Sequence, residues 1–483
     1  MQIEPLDPYR WQIPKTGEMR VPGIIYTDAS GIKALHQDGS LQQVANVATL
    51  PGIVTAAMAM PDIHLGYGFP IGGVAAFDWK TGVISPGGVG YDINCGVRLA
   101  TTALTKNEIS SRLPALVDAL FQAVPSGVGS TGPVRLGSAD LKKVLKQGSA
   151  WAVAQGFGKD SDIAHTEENG CLDQADPDLL SPRALERGKN QLGTLGSGNH
   201  FLEIGVVDEI IDPRTAQVFG LFPGQVTVML HSGSRGLGYQ VCDDHLAAMK
   251  KNAVKSGQHL PDRQLACAMI QSPQGQQYLG AMACAANYAW TNRQIMLHRV
   301  RQVFMETLSI SPRSLHMHLL YDVCHNIAKK ETHMVDGRKQ VVCVVRKGAT
   351  RALGPGISGI PEKFQPVGQP ILTPGDMGRA SYVLCGTDTA MAQTFGSTCH
   401  GAGRLLSRKA AKKRGKGRSI RQELKKKGIL VRFTGRSTLA EEMPEAYKNV
   451  SDVVQIVHGA KISRMVARLR PLAVRSEEHT SEL

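Results

Sequence analysis

Residues 225–238 read QVTVMLHSGSRGLG. After Gln225, five β-branched or apolar residues complete a run with the length of a buried strand, and a His with a Gly- and Ser-rich turn follows at once. A rigid strand that ends in such a loop is how a sheet presents chemistry at its edge. The pattern recurs in residues 314–323 (SLHMHLLYDV), which lead to Cys324 and His325 before a helical-looking IAKKE, and Val341–Val345 is a third strand-like run. Two helices also read clearly. One starts near Ser138, a suitable N-cap, and the other spans Met282–Leu308, where Met282, Ala286, Ala289, Arg293, Met296, Val300, Val303 and Phe304 recur at helical spacing. The class is therefore α+β, one large mixed domain, because no repeat and no Pro- or Ser-rich linker divides the chain.

A chain of 483 residues can bury roughly 75% of its unfolded surface and needs no staple. Hydrophobic residues make up 42% and charged residues 20%, which excludes global disorder. The net charge of +14 suits an anionic partner. Nine cysteines without a C-x-x-C pair argue against a disulfide framework and zinc knuckles, and predict a reducing cytoplasm. The opening MQIEPLDPYRWQIP has no basic and apolar leader pattern, and no apolar stretch has membrane-spanning length. An unexported protein without a membrane segment is expected.

Glycine, at 52 residues, is concentrated in PDIHLGYGFPIGG (61–73), SPGGVGYDINCG (85–96), GTLGSGNH (193–200), HSGSRGLG (231–238) and CHGAGR (399–404). Each cluster carries a potential ligand or nucleophile, and glycine lets backbone N–H groups approach an anion closely. Asp92 and Cys95 share one glycine-bounded turn. With His200, His231 and His325 they supply O, S and N donors for one or two divalent ions. A thiolate favours zinc or iron, a carboxylate with waters favours manganese or magnesium, and spacing leaves that choice open. Cys324 and His325, adjacent on a strand, face opposite ways and are not a nucleophile and base pair. His316 and His318 alternate on one strand face without glycine around them and read as packing. His400, followed by Gly401, Ala402, Gly403 and a helical LLSRKAAKK, stands at an expected helix N-terminus, where a phosphate is favoured and a neutral imidazole could attack it.

The motifs DINCGVR (92–98), LGSGNHFLEI (195–204), HSGSRGLG, AANYAWTNRQ (285–294), DVCHNIAKKE (322–331), RKGATRA (346–352) and CHGAGR together resemble the RtcB family of RNA-splicing ligases, over about residues 20–474. The resemblance implies an RtcB-like fold with a central metal and nucleotide pocket. It implies an enzyme that joins a 2′,3′-cyclic phosphate or 3′-phosphate RNA end to a 5′-hydroxyl end with GTP and two Mn2+ ions. Cys95 would bridge the two ions, with Asp92 and His200 on one and His231 and His325 on the other. His400 would take GMP as a phosphoramidate. Asn199, Phe201, Glu203, Asn326, Pro374, Gly375, Asp376, Met377, Ser381, Gly401, Ala402, Gly403 and Tyr447 match positions that hold the guanylate, beside the ligands His200 and His325. Glu203 suits guanine, since a carboxylate accepts the N1 and N2 hydrogens that adenine lacks as a pair. An archease-like activator is a further implied partner, and no membrane is.

Two departures stand out. Val345 replaces the His that usually precedes RKGATRA in that family. The ligase domain is read as residues 1–474, because RSEEHTSEL (475–483) is an extraneous tail and Ser476 falls where the family has a terminal Lys that helps hold guanine. Between Arg404 and Gly428, twelve Lys or Arg face one acid, Glu423, so this segment carries +11 of the net +14. Beside His400 it reads as a track for RNA phosphates. Two other classes remain open: a two-metal phosphoesterase that only cleaves, and an RNA-end-binding protein with weakened chemistry. His400 speaks against the first, and the intact ligand set against the second.

Overall fold

The computed structural model describes residues 1–36, 38–127, 129–196, 199–255, 260–433 and 436–476. Ser197 and Gly198 of the third glycine cluster, and residues 477–483 of the tail, lie outside them.

The α+β class holds. One sheet carries seven strands in the order Glu4–Asp7, Arg10–Ile13, Gly23–Tyr26, Ile53–His64, Ile71–Asp78, Arg338–Lys347 and Asn326–Val335. A second large sheet runs His318–Cys324, Gly96–Thr105, Gln225–Ser232, Phe201–Ile210, Arg464–Ser476, Ser381–Cys385 and Pro370–Thr373, with Leu430–Arg432 added in parallel to Arg464–Ser476. Gln225–Ser232 is buried at every position and is central in its sheet, as an unbroken apolar run requires.

Against it packs one long helix, Pro273–Leu308. Residues 278–297 of this helix are buried without interruption, and a helix buried on all faces belongs in the middle of a large core. It begins nine residues before the expected Met282, because Ser272 caps it by accepting from Gly275 and Pro273 follows with φ already set. Among the described residues no helix is long and apolar enough to cross a membrane.

Several local expectations are corrected. Ser138 is the first helical residue and Gly137 the cap. The strand expected from 314 begins at His318, because Ser311 and Pro312 start a short helix, Pro312–Leu315. His316 closes that helix in the left-handed region, so His316 and His318 do not alternate on one strand, although their rings lie 4.1 Å apart. IAKKE is not helical: it lies in the strand Asn326–Val335, paired along its whole length with Arg338–Lys347 through the Asp336–Gly337 turn. Both residues of that turn have positive φ, which favours a hairpin over a helix. The strand Arg464–Ser476 runs past 474, with Arg475 opposite Leu202. Arg475, assigned to the tail by sequence, is buried and donates to the carbonyl of Leu120 and the hydroxyl of Ser126.

Candidate active site and metal centre

Strand register assembles the site. Gly96 pairs with Cys324, so Cys95, just before one strand, meets His325, just after the other, and the His325 amide donates to the Cys95 carbonyl at 2.9 Å. Val97 and Phe201 both pair with His231, which brings His200 and Cys95 to either side of it. Ser397–Cys399 pairs with Ala349–Arg351, and the Ala349 amide bonds the His325 carbonyl, so His400 arrives next to His325. Their ring centroids are 4.7 Å apart.

Cys95 Sγ lies 3.1 Å from His200 Nε2 and 3.2 Å from His231 Nε2, and His231 Nε2 lies 3.3 Å from His325 Nε2. Asp92 Oδ2 is 2.9 Å from His200 Nε2. Burial, helped by the charges of neighbouring histidines, holds His231 and His325 well below the usual imidazole range. Both are therefore neutral at pH 7. Burial, with the charge of Asp92, pushes the Cys95 thiol well above its usual value. Burial is the largest single influence on Asp92 and works against its charge too, but the hydrogen bond and charge of His200, the charge of Arg235 and the Cys95 hydrogen bond together outweigh it and hold the carboxyl at about 2. Soft and hard donors that crowd together in a buried site fit a bound cation, and Cys95, His200 and His231 all offer atoms within 4.8 Å of one another.

These groups form the floor of a cavity of about 300 Å3. Asn199, Phe201, Glu203, Asn326, Pro374, Gly375, Asp376, Met377, His400, Gly401, Ala402, Gly403 and Tyr447 line it as well. Ser381 does not: it stands behind the wall, where its hydroxyl accepts from the Gly375 amide at 3.2 Å. Burial, with the charge of Asp376, raises the Glu203 carboxyl to about 8.

The surroundings of His400 differ from the expectation. No helix begins there, because the next one is Arg408–Arg414, capped by Ser407. The amides of His400 and Gly401 are taken by Asp62 Oδ2 at 3.0 and 3.3 Å, and that of Ala402 by the Pro374 carbonyl. A phosphate cradle of free amides is thus absent at these three residues. Gly403 turns with φ +73, and a Cβ there would meet the Asp62 carbonyl at 2.2 Å. Arg404 and Arg408 supply positive charge to the cavity wall in place of the amides.

Asp62 is the residue that sequence reasoning missed. Its Oδ2 accepts from His400 Nδ1 at 2.6 Å. It lay inside a glycine cluster already singled out, but 338 positions separate the two residues. Behind it, the Lys448 ammonium donates to the carbonyls of Pro61 and Ile63 at 2.8 and 2.7 Å, on either side of Asp62. His64 and Glu442 are further wall residues that the sequence did not single out, and Arg404 and Arg408, read there as part of the basic track, line the cavity as well. Cys324 does face away from His325, toward Glu167.

A family model described as tRNA-splicing ligase RtcB matches residues 43–477. The chain belongs to the RtcB family. It is 53% identical over 474 residues to a protein of Archaeoglobus fulgidus named tRNA-splicing ligase RtcB, with 98% of each chain covered. A protein of the same name from Thermococcus kodakarensis is 54% identical over 473 residues, again with 98% of both chains covered. The RtcB match also extends past residue 474, in keeping with the strand that continues through Ser476.

Proposed function

We propose that the protein is a GTP- and manganese-dependent RNA ligase that joins 2′,3′-cyclic phosphate or 3′-phosphate RNA ends to 5′-hydroxyl ends, in tRNA splicing or RNA repair. The observation that carries this reading is His400, oriented by Asp62 and set beside the Cys/His cluster in one cavity. A phosphoesterase needs no such residue. The Nδ1 contact with a carboxylate leaves Nε2 as the free nucleophile.

Nε2 attacks the α-phosphate of GTP, an N–P bond forms, the bond to the β-phosphate oxygen breaks and pyrophosphate leaves. The Nδ1 proton stays on its hydrogen bond to Asp62, which offsets the positive charge that develops on the ring. An RNA 3′-phosphate then displaces His400 to give an RNA-3′-pp-5′-G end, and a 5′-hydroxyl displaces GMP. Asp92, Cys95, His200, His231 and His325 would hold two Mn2+ ions, whose Lewis acidity neutralises phosphate charge. Glu203 would read guanine, with Tyr447 and residues 374–377 completing the nucleotide wall. Arg404, now paired with Glu442 at 2.8 Å, and Arg408 are the cations within reach of the triphosphate.

The reading takes residues 1–474 with the end of the last strand as one ligase domain. Nine free thiols, nearly all buried, support a reducing cytoplasm. The chemistry is tested by incubation with Mn2+ and GTP labelled at the α-phosphate. Label on the protein is expected, and none on His400→Ala; an unlabelled wild type would overturn the ligase reading.

The basic segment forms two short helices, Arg408–Arg414 and Ile420–Lys426, beside the cavity. Lys412 is tied to the buried Glu441 at 2.5 Å, and Arg418 to Glu423 and Glu445. Lys409, Lys413, Arg414 and Lys416 are exposed and would form the RNA track. Replacing these four with Gln should weaken RNA binding and flatten its salt dependence by about 0.7 in log–log slope per lost phosphate contact. Filter binding from 50 to 200 mM salt checks this, and an unchanged slope excludes the track.

A further inference from the structure

The motif AANYAWTNRQ (285–294) contributes nothing to the cavity wall. Yet Asn292 and Arg293, fully buried in the long helix, reach the loops that carry the metal-ligand candidates. Arg293 Nη1 donates to the carbonyls of Asn94 and Ser232 at 2.8 and 2.9 Å, the neighbours of Cys95 and His231. Its Nη2 donates to Asn94 Oδ1 at 3.1 Å and Asp322 Oδ1 at 2.8 Å, and its Nε to Asp322 Oδ2 at 2.8 Å. Asp322 lies on the strand that delivers His325. All five guanidinium hydrogens are thereby used, which no other side chain could supply in one rigid fork. The guanidinium also rests against Gly96, where a Cβ would sit 3.0 Å from Arg293 Cζ.

Asn292 does the same for the remaining loops. Its Oδ1 accepts from the amides of Gly193 and Thr194 at 2.7 and 3.1 Å, on the segment that leads to His200. Its Nδ2 donates to the Thr194 and Gly233 carbonyls at 3.0 and 3.3 Å. Beyond Gly233, the Ser234 amide donates to Asp92 Oδ1 at 3.0 Å. Neither residue touches a ligand side chain; each holds the backbone from which the ligands project.

We propose that Asn292 and Arg293 are positioning residues that preset the backbone of the ligand loops and so determine the affinity and geometry of the metal centre. The proposal rests on the metal reading above. Outer partners that orient ligands are worth 10- to 100-fold in metal affinity.

The test uses the full chain, stripped of metal and titrated with Mn2+ while free ion is followed by electron paramagnetic resonance. Co2+ binding is read in parallel through the thiolate-to-metal charge-transfer band of Cys95. Asn292→Asp keeps the acceptor and loses the donors, and Arg293→Lys keeps the charge and loses the fork. Each should weaken Mn2+ binding by about tenfold or more and alter the Co2+ band. Arg301→Lys is the control: it loosens the Arg301–Asp162 pair at 2.6 Å on the same helix, away from the ligand loops. It should lower thermal stability and leave affinity unchanged. Mn2+ affinity within twofold of wild type in folded Asn292→Asp or Arg293→Lys would overturn the proposal. So would a loss in Arg301→Lys equal to theirs, which would trace it to general loosening. A wild type that binds no Mn2+ would instead remove the metal reading, and this proposal with it.

Discussion

Asp62→Asn is expected to slow transfer of label from GTP to His400 by about 10²- to 10⁴-fold, the usual worth of a positioned acid–base partner. The fold around the site should survive. Asp62 Oδ2 accepts from His400 Nδ1 and from the amides of His400 and Gly401, and an Asn oxygen can accept the same bonds. What disappears is the negative charge that fixes the proton on Nδ1 and balances the ring as Nε2 forms a bond to phosphorus. If instead the Asn amide turns toward Nδ1, Nε2 carries the proton and loses its nucleophilic pair. Either way the chemical step suffers, and GTP binding should not, because Asp62 is outside the cavity lining. Single-turnover labelling over a range of GTP concentrations separates the two. A labelling rate within threefold of wild type would remove Asp62 from the mechanism.

The candidate ligands stood out in the sequence because they follow or precede strand-like runs, and Asp92, Cys95, His200 and His231 also lie in glycine clusters, whereas His325 does not. Strand ends point the same way only when register allows it, however, and register is a long-range property. Cys95 and His325 meet because Gly96 pairs with Cys324, and nothing within either segment encodes that. The same limit hid Asp62 and Glu442. Local errors had local causes. IAKKE has helix-favouring residues, but each of them pairs with a residue of the neighbouring strand, from Ile327 opposite Arg346 to Glu331 opposite Val342, so pairing overrode propensity. LLSRKAAKK was read as helical from its first residue, whereas the chain waits for the Ser407 cap. The basic excess was readable as charge, but only the structure shows that Lys412, exposed like its neighbours, is held by the buried Glu441.

Cys95→Ala is expected to weaken Mn2+ binding by more than about 100-fold, beyond what the loss of an outer partner costs, and to change its pH dependence. A metal ligand must be deprotonated, so binding expels any proton that the free site holds. In the metal-free protein the Cys95 thiol is pushed well above its usual range by burial and by the charge of Asp92. It therefore carries a proton up to at least pH 8.5. Asp92 is already ionised, since its carboxyl is held at about 2, and His231 and His325 are already neutral. Between about pH 7.5 and 8.5, above the ordinary imidazole range, Cys95 is thus the ligand that must give up a proton. The wild-type affinity should rise about tenfold per pH unit across that window, and proton release on binding should approach one per site. In Cys95→Ala the residual affinity should be nearly flat with pH. Isothermal titration in two buffers of different ionisation enthalpy measures the proton count directly. A flat wild-type profile, or the same slope in Cys95→Ala, would mean that Cys95 does not bind the ion as a thiolate, and would leave the centre to Asp92 and the three histidines.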